Sequence, residues 1–326
     1  MDQLTVQKLF NELKNKLRLE LLNSDAGFQR LINEPDLHRP GLALSGFVQV
    51  FTYNRVQIMG NSEHGYLNTL SEPEKRRAIE TLLSFELPCI IITENNEPPP
   101  ELLSGADARR ISILRTSFKT TRLMHLLSDY MDDKFAPTVT VHGSLVDVYG
   151  IGLLFTGRSG IGKSEIALDL VERGHRLVAD DVVNISRKAE GILIGTASEI
   201  LQQHMEIRGL GIVDVRSVFG IRSIRVQKRV ELAVHLEEWD DKSDYERIGL
   251  DESSTKILDV EIPLIKLPIF PGKNITVIAE VVALNQLLKI YGHHPAKMFN
   301  ERLIKKMQQQ NSIESDKRLY LDRDFE

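Results

Sequence analysis

Apolar positions recur at helical spacing from Val6 to Leu22, and beyond them the pattern shifts to short apolar runs divided by breakers. Pro40-Gly41 interrupts the chain, and Phe47-Val-Gln-Val-Phe-Thr52 and Arg55-Val-Gln-Ile-Met59 then read as strands. Pro73 to Ser84 carries a helical pattern, Cys89 to Thr93 reads as a buried strand, and Glu97-Pro-Pro-Pro100 is a stiff turn. Ile111 to Leu114 predicts a further strand and Thr120 to Tyr130 a helix. Asp132-Asp-Lys-Phe-Ala-Pro137 is polar and proline-bearing, which marks a domain boundary and an N-terminal α/β domain over 1–133.

From Thr138 the pattern becomes mainly β, defining a second domain over 134–313 followed by a charged tail over 314–326. Val230 to Glu237 alternates apolar and other residues strictly, as a strand covered on one face does. Asn274 to Tyr291 and Pro295 to Gln310 read as helices, the first capped by Asn274. The whole is an α/β chain of two domains.

Within the second domain, the apolar run Ile151 to Phe155 leads into Gly157-Arg-Ser-Gly-Ile-Gly-Lys-Ser164, a complete phosphate-loop pattern. Backbone N–H groups of Gly157, Arg158, Ser159, Gly160, Ile161 and Gly162 can turn inward onto phosphate oxygens. Lys163 then reaches the β- and γ-phosphates, and the Ser164 hydroxyl can ligate Mg²⁺. Ser164 to Arg173 reads as a helix stopped by Gly174, and its N-terminal dipole adds to the anion site. A strand before and a helix after set this apart from a Gly-rich turn with a surface lysine. The chain is expected to handle a nucleoside triphosphate.

Composition narrows the remaining classes. Of 326 residues, 42 % are hydrophobic and 27 % charged, as in an ordinary soluble protein. The formal net charge of −5 offers no general attraction to nucleic acid or an anionic membrane. Cys89 is the single cysteine, so no intramolecular disulfide can form, and its apolar setting predicts a buried, inert thiol. The start, Met1-Asp-Gln-Leu-Thr-Val, lacks the pattern of an export signal, and no long apolar segment could span a bilayer. The cytoplasm is the expected compartment.

Around the loop, Arg176-Leu-Val-Ala-Asp-Asp181 reads as a strand ending in two acids directly after the loop helix. An acid so placed can hold Mg²⁺ or orient the attacking group. Neighbouring residues on a strand point to opposite faces, so one of the two acids is expected to meet the substrate directly. His142 closes the run Thr138-Val-Thr-Val-His, where a lone histidine is more often structural than catalytic. Glu206-Ile-Arg-Gly-Leu-Gly-Ile-Val-Asp214 reads as a Gly-punctuated, charged loop, and Pro268 to Lys273 as a proline-rich turn.

Together these segments resemble the HPr kinase/phosphorylase family over nearly the whole chain. The match rests on Val141-His-Gly143, the loop itself, Gly174-His-Arg-Leu-Val-Ala-Asp-Asp181, Glu206-Ile-Arg-Gly-Leu-Gly211, Tyr245-Glu-Arg-Ile-Gly-Leu250 and Pro268 to Lys273. In the first domain, Asp36-Leu-His-Arg-Pro-Gly41, Arg55 to Gly60 and Lys119-Thr-Thr-Arg-Leu123 are also similar to that family.

The resemblance implies phosphorylation of a serine on the phosphocarrier HPr with ATP, or in some members pyrophosphate, using Mg²⁺. It implies the reverse reaction too, in which phosphate attacks phosphoserine and releases pyrophosphate. It further implies a cytoplasmic homohexamer, a first domain like that of Mur ligases, and a P-loop domain like that of phosphoenolpyruvate carboxykinase. By motif, the active-site positions fall on His142, Lys163, Asp181 and Arg247, nucleotide binding on Gly157 to Ser164, and Mg²⁺ on Ser164 and Glu206. Met205 to Asp214 matches the stretch tied to both reactions, and Pro268 to Lys273 the one tied to dephosphorylation, with Ile269, Phe270 and Lys273 departing from the family pattern. Two other readings of the loop are a carboxykinase-like kinase of a small metabolite and a nucleotide sensor without transfer.

Overall fold

The computed structural model describes residues 3–188, 191–198, 200–240, 253–270 and 272–307. The chain forms two compact units, Met1–Ala136 and Pro137–Glu326.

In the first unit α1 (Val6–Leu17) precedes β1 (Glu20–Leu21), β2 (Leu37–His38), α2 (Gly41–Leu44) and β3 (Val56–Met59). There follow α3 (Asn61–Thr69), α4 (Glu72–Leu83), β4 (Cys89–Ile92), α5 (Pro100–Ala108), β5 (Ser112–Arg115) and α6 (Thr120–Phe135). The sheet runs β1-β5-β4-β3-β2, with β2 to β5 parallel and β1 antiparallel at the edge. Alternation along β4 explains its two-sided burial. Ile90 and Ile92 pack with α4 and α5, while Cys89 and Ile91 pack with α1 and α6. Burial pushes the Cys89 thiol up to about 12, so it is protonated and inert at neutral pH.

Two sequence expectations change here. The run from Phe47 to Thr52 is turn and irregular chain, not a strand, with Phe47 and Val50 exposed. Phe51 is buried, edge-on against His38 and Phe85, and Val48 packs half-buried on the same core, so tertiary contacts overrode the strand pattern. The helix expected over Thr120 to Tyr130 runs on through Asp132, Asp133 and Lys134 to Phe135, and the two units divide just beyond it at Ala136 and Pro137, inside the polar run. Lys134 pairs with Glu12 of α1 at 2.7 Å, which holds the last turn of α6 onto the unit.

The second unit begins with β6 (Thr138–His142), β7 (Ser144–Val148), β8 (Ile151–Gly157), α7 (Lys163–Glu172), β9 (Arg176–Ala179), β10 (Val182–Lys188) and β11 (Ile192–Ala197). It continues with β12 (His204–Ile207), β13 (Gly211–Asp214), α8 (Val215–Phe219), β14 (Gln227–Arg229), β15 (Leu232–Glu238), β16 (Ser254–Ile257), β17 (Val260–Ile269), α9 (Ile275–Ile290) and α10 (Pro295–Met307). A six-stranded sheet has the order β16-β17-β15-β8-β7-β9, with β8, β15 and β17 parallel at its centre. A four-stranded sheet, β14-β11-β10-β6, is antiparallel throughout, and β12 and β13 form a hairpin.

Helices α7 and α9 cover one face of the large sheet, with Ile166, Leu170, Ala279 and Ala283 packed on Leu153, Phe155, Val234 and Leu236. The small sheet covers the other face, with Val183, Ile185 and Leu193 against Leu145, Leu154 and Ala233. Strand β15 is therefore buried on both faces, not on one as its alternation suggested. Its second face presents the small Ala233, which lets the other sheet approach. The expected cap on α9 is present, since Asn274 Oδ1 accepts from Val277 N at 3.1 Å.

Candidate functional site

Central strand β8 ends at Gly157 and the chain turns through the loop into α7. Parallel strands place their carboxyl ends, and the loops after them, on one side of the sheet, where α/β folds bind ligands. Lys163 opens the helix and folds back over the loop, its Nζ donating to the carbonyls of Gly157 and Arg158 at 3.1 Å each. Arg158 is held by Glu238 at the end of β15, 2.8 Å away.

Next to Lys163 in the first turn of the helix, Ser164 Oγ donates to Asp180 Oδ1 at 3.1 Å. Ser144 Oγ, from β7, donates to the same oxygen at 2.5 Å. Asp180 is buried, and its second oxygen has no hydrogen-bond partner among the described residues. Burial raises the Asp180 pKa above the ordinary carboxylate value, against the opposing pull of the two serine hydroxyls. A buried carboxylate oxygen beside a hydroxyl is a donor set suited to a hard cation.

Asp181 differs from its neighbour. It is exposed, its φ is 63°, and its carbonyl accepts from Gly143 N at 3.1 Å. His142 precedes Gly143, and in the β6–β10 ladder it pairs with Val182. His142 and Asp181 thus sit side by side at the ends of two neighbouring strands. Gly143 itself lies close against β8, where a Cβ would stand 2.4 Å from the Phe155 carbonyl oxygen.

The β12–β13 hairpin supplies a further wall. Met205 is buried in the core with α7, and Glu206, next in line, is exposed. The hairpin turns at Arg208, whose Nη2 donates to Ser159 Oγ at 3.2 Å.

The HPr Serine kinase N terminus model matches residues 4–131, and the HPr Serine kinase C-terminal domain model matches residues 133–303. The HPr kinase/phosphorylase of Prosthecochloris aestuarii is 52 % identical over 327 residues, spanning 99 % of this chain and 96 % of that one. That of Chloroherpeton thalassium is 49 % identical over 328 residues, again spanning 99 % and 96 %. The chain belongs to the HPr serine kinase family. A solved HPr(Ser) kinase/phosphatase from Coxiella burnetii is 33 % identical and covers 50 % of this chain and 99 % of that one, with a TM-score of 0.44.

Of the site positions named from sequence for this family member, the structure gathers Lys163, Ser164, Asp181 and His142 around the carboxyl ends of β8, β6 and β9. Arg247 lies outside the described residues, as does the charged tail over 314–326. The Glu206 carboxylate makes no hydrogen bond among the described residues, and no cluster of three or more His, Cys, Asp or Glu side chains is present there. Mg²⁺ does not need such a cluster, since it keeps several waters and takes one or two carboxylates plus substrate phosphates.

Sequence reasoning passed over three groups. Asp180 was visible only as half of an acidic pair, and Ser144 carried no signal at all. Arg208 lay in a flagged segment, whose Gly punctuation was the signal, but the residue itself was not singled out.

Proposed function

We infer that the protein transfers the γ-phosphoryl group of ATP to a serine hydroxyl of an HPr-type phosphocarrier, and that the same site runs the reverse phosphorolysis. The observation that carries the reading is the phosphate loop whose Ser164 is tied to the buried Asp180, with Asp181 and His142 at its mouth.

A serine hydroxyl is a poor nucleophile, so a carboxylate must take its proton as the new P–O bond forms. Asp181 is proposed for this role, supported by its exposure at the strand end beside the loop. In reverse the same carboxyl, protonated, donates to the serine oxygen as phosphate attacks phosphoserine and pyrophosphate forms. Lys163 offsets charge on the β- and γ-phosphates, and His142 orients the incoming phosphate. Arg247 is proposed as a further active-site cation on the family motif alone.

The residues present fit Mg²⁺. Ser164 and Asp180 would hold it, with Glu206 on the family motif, and it would neutralise phosphate charge. Pyrophosphate, which carries the same linked phosphates, is proposed as a second donor. No single helix among the described residues is long and apolar enough to cross a membrane, and a cytoplasmic location is proposed with no nucleic-acid partner. A homohexamer is proposed on family grounds. The exposed Val277, Val281, Leu284 and Leu288 along α9 support self-association.

Incubation with γ-labelled ATP, with and without HPr, tests the reading. Label on an HPr serine is expected. Label on a small metabolite, or transfer to nothing, would overturn it in favour of a metabolite kinase or a nucleotide sensor.

A further inference from the structure

Ser144 carries the one hydroxyl of β7, a strand buried along its whole length. Strand alternation sets its direction. Val146 and Val148 pack on the face of the large sheet that α7 covers, and Leu145 packs on the other, so Ser144 belongs to the α7 side. There it meets Asp180, which follows Ala179 at the end of β9. Ser144 is completely shielded from water, and its hydroxyl donates to Asp180 Oδ1 at 2.5 Å.

Two observations separate this contact from the ordinary pairing of a buried hydroxyl. The first is that the two donors on Oδ1 are unequal. Ser144 stands at 2.5 Å on a strand paired on both sides, with β8 through Ser144↔Phe155 and with β9. Ser164 stands farther off, at 3.1 Å, in the first turn of the loop helix. A short O–H···O bond to a carboxylate is of the strong, charge-assisted kind, so the rigid strand supplies the firmer hold. The second observation is Oδ2, which is shielded from water and has no hydrogen-bond partner among the described residues. Leaving a carboxylate oxygen in that condition is costly unless another group satisfies it. With Oδ1 held by Ser144, Oδ2 and the Ser164 oxygen are left to share a cation.

We propose that Ser144 is a positioning residue for the divalent cation, its hydroxyl fixing the Asp180 carboxylate so that Oδ2 serves Mg²⁺ alongside Ser164. The proposal rests on the magnesium reading above. Ser144 acts through Asp180 alone. Its hydrogen, committed to Oδ1, opposes rotation of the carboxylate about the Cβ–Cγ bond. Without that bond the carboxylate is freer to turn, and the cost of ordering it is taken from the binding of the cation. The effect therefore falls on metal affinity. The loop amides and Lys163, which hold the nucleotide, are untouched.

The test compares Ser144→Ala and Ser144→Cys with the wild type, the thiol filling similar space while donating only weakly. Mn²⁺ is titrated in the presence of ADP and followed by the electron paramagnetic resonance of the free ion. ADP binding is measured in metal-free buffer, and phosphoryl transfer across a range of Mg²⁺ concentrations. Both variants are expected to bind Mn²⁺ about 10- to 100-fold more weakly. Metal-free ADP binding is expected within about threefold of wild type, which also reports an intact fold. The Mg²⁺ concentration for half-maximal turnover should rise in step with the Mn²⁺ loss, while kcat at saturating Mg²⁺ stays within about fivefold of wild type. Wild-type Mn²⁺ affinity in Ser144→Ala would overturn the proposal. So would a weakened Ser144→Ala beside a wild-type-like Ser144→Cys, which would reduce the role to packing. If alanine costs the fold, Ser144→Cys decides alone. A wild type that takes up no Mn²⁺ with ADP would overturn the magnesium reading and the proposal with it. A wild type that labels an acceptor other than HPr would overturn only the substrate assignment, because the titration needs no acceptor.

Discussion

Ser164 Oγ donates to Asp180 Oδ1 across 3.1 Å, joining the last residue of the phosphate loop to a buried carboxylate whose other oxygen has no partner among the described residues. The two oxygens proposed to hold Mg²⁺ are thereby already paired. The cost is a charge held out of water, and it is reflected in the raised pKa of Asp180.

That cost has a sign that can be measured. The folded-state pKa of Asp180 lies above its ordinary value, so the penalty is absent below the ordinary carboxylate range and appears as pH rises through the raised value. Asp180→Asn removes it. In metal-free buffer at pH 8 the variant is expected to melt about 2–4 °C higher than wild type, with the difference shrinking towards pH 4. Its affinity for Mn²⁺ in the presence of ADP is expected to drop at least about tenfold. A lower melting temperature at pH 8 would contradict the account.

Lys163→Ala should keep the fold, because among the described residues the ammonium bonds only the loop carbonyls of Gly157 and Arg158. Phosphoryl transfer is expected to lose about 3–4 kcal/mol of transition-state stabilisation. Melting curves and turnover measured on the same preparation check both halves.

Asp181→Asn is expected to abolish phosphorylation of HPr and phosphorolysis of phosphoserine-HPr together, since an amide neither takes nor gives the shared proton. ATP should still bind through the loop amides, Lys163 and Ser164. Retention of either reaction at the wild-type rate would rule out a shared carboxyl, and rescue by excess metal would reassign Asp181 to holding Mg²⁺.

Gly143→Ala tests the frame that brings His142 to Asp181. The added methyl would meet the Phe155 carbonyl at 2.4 Å, and relief by backbone movement should cost about 1–3 kcal/mol of stability. The same movement strains the Gly143–Asp181 hydrogen bond, so activity should fall further than stability alone requires. Chemical denaturation and turnover at low temperature separate the two effects.

Light scattering at micromolar concentration should give a mass several times the 37.0 kDa of one chain. Replacing Val281 and Leu288, both exposed on α9, with charged residues should lower that mass if this face joins the copies. A monomeric wild type would contradict self-association.

What could be read in the sequence was whatever depends on residues close together along the chain. The loop from Gly157 to Ser164, its helix, the cap at Asn274 and the buried strand at Cys89 all follow from local spacing and turn chemistry, and all are present. Phe47 to Thr52 fails as a strand because Phe51 finds a better partner in Phe85, a contact no local pattern records. The alternation of β15 could not reveal that a second sheet covers Ala233. The division of labour between Asp180 and Asp181 was equally hidden. Strand alternation sends the two acids to opposite faces, but only the meeting of β7, α7 and the end of β9 turns Asp180 onto Ser144 and Ser164 while Asp181 stays exposed at a positive φ. Arg208 reaches Ser159 from 49 residues away because a hairpin far along the chain packs under α7, and only the folded core sets that distance.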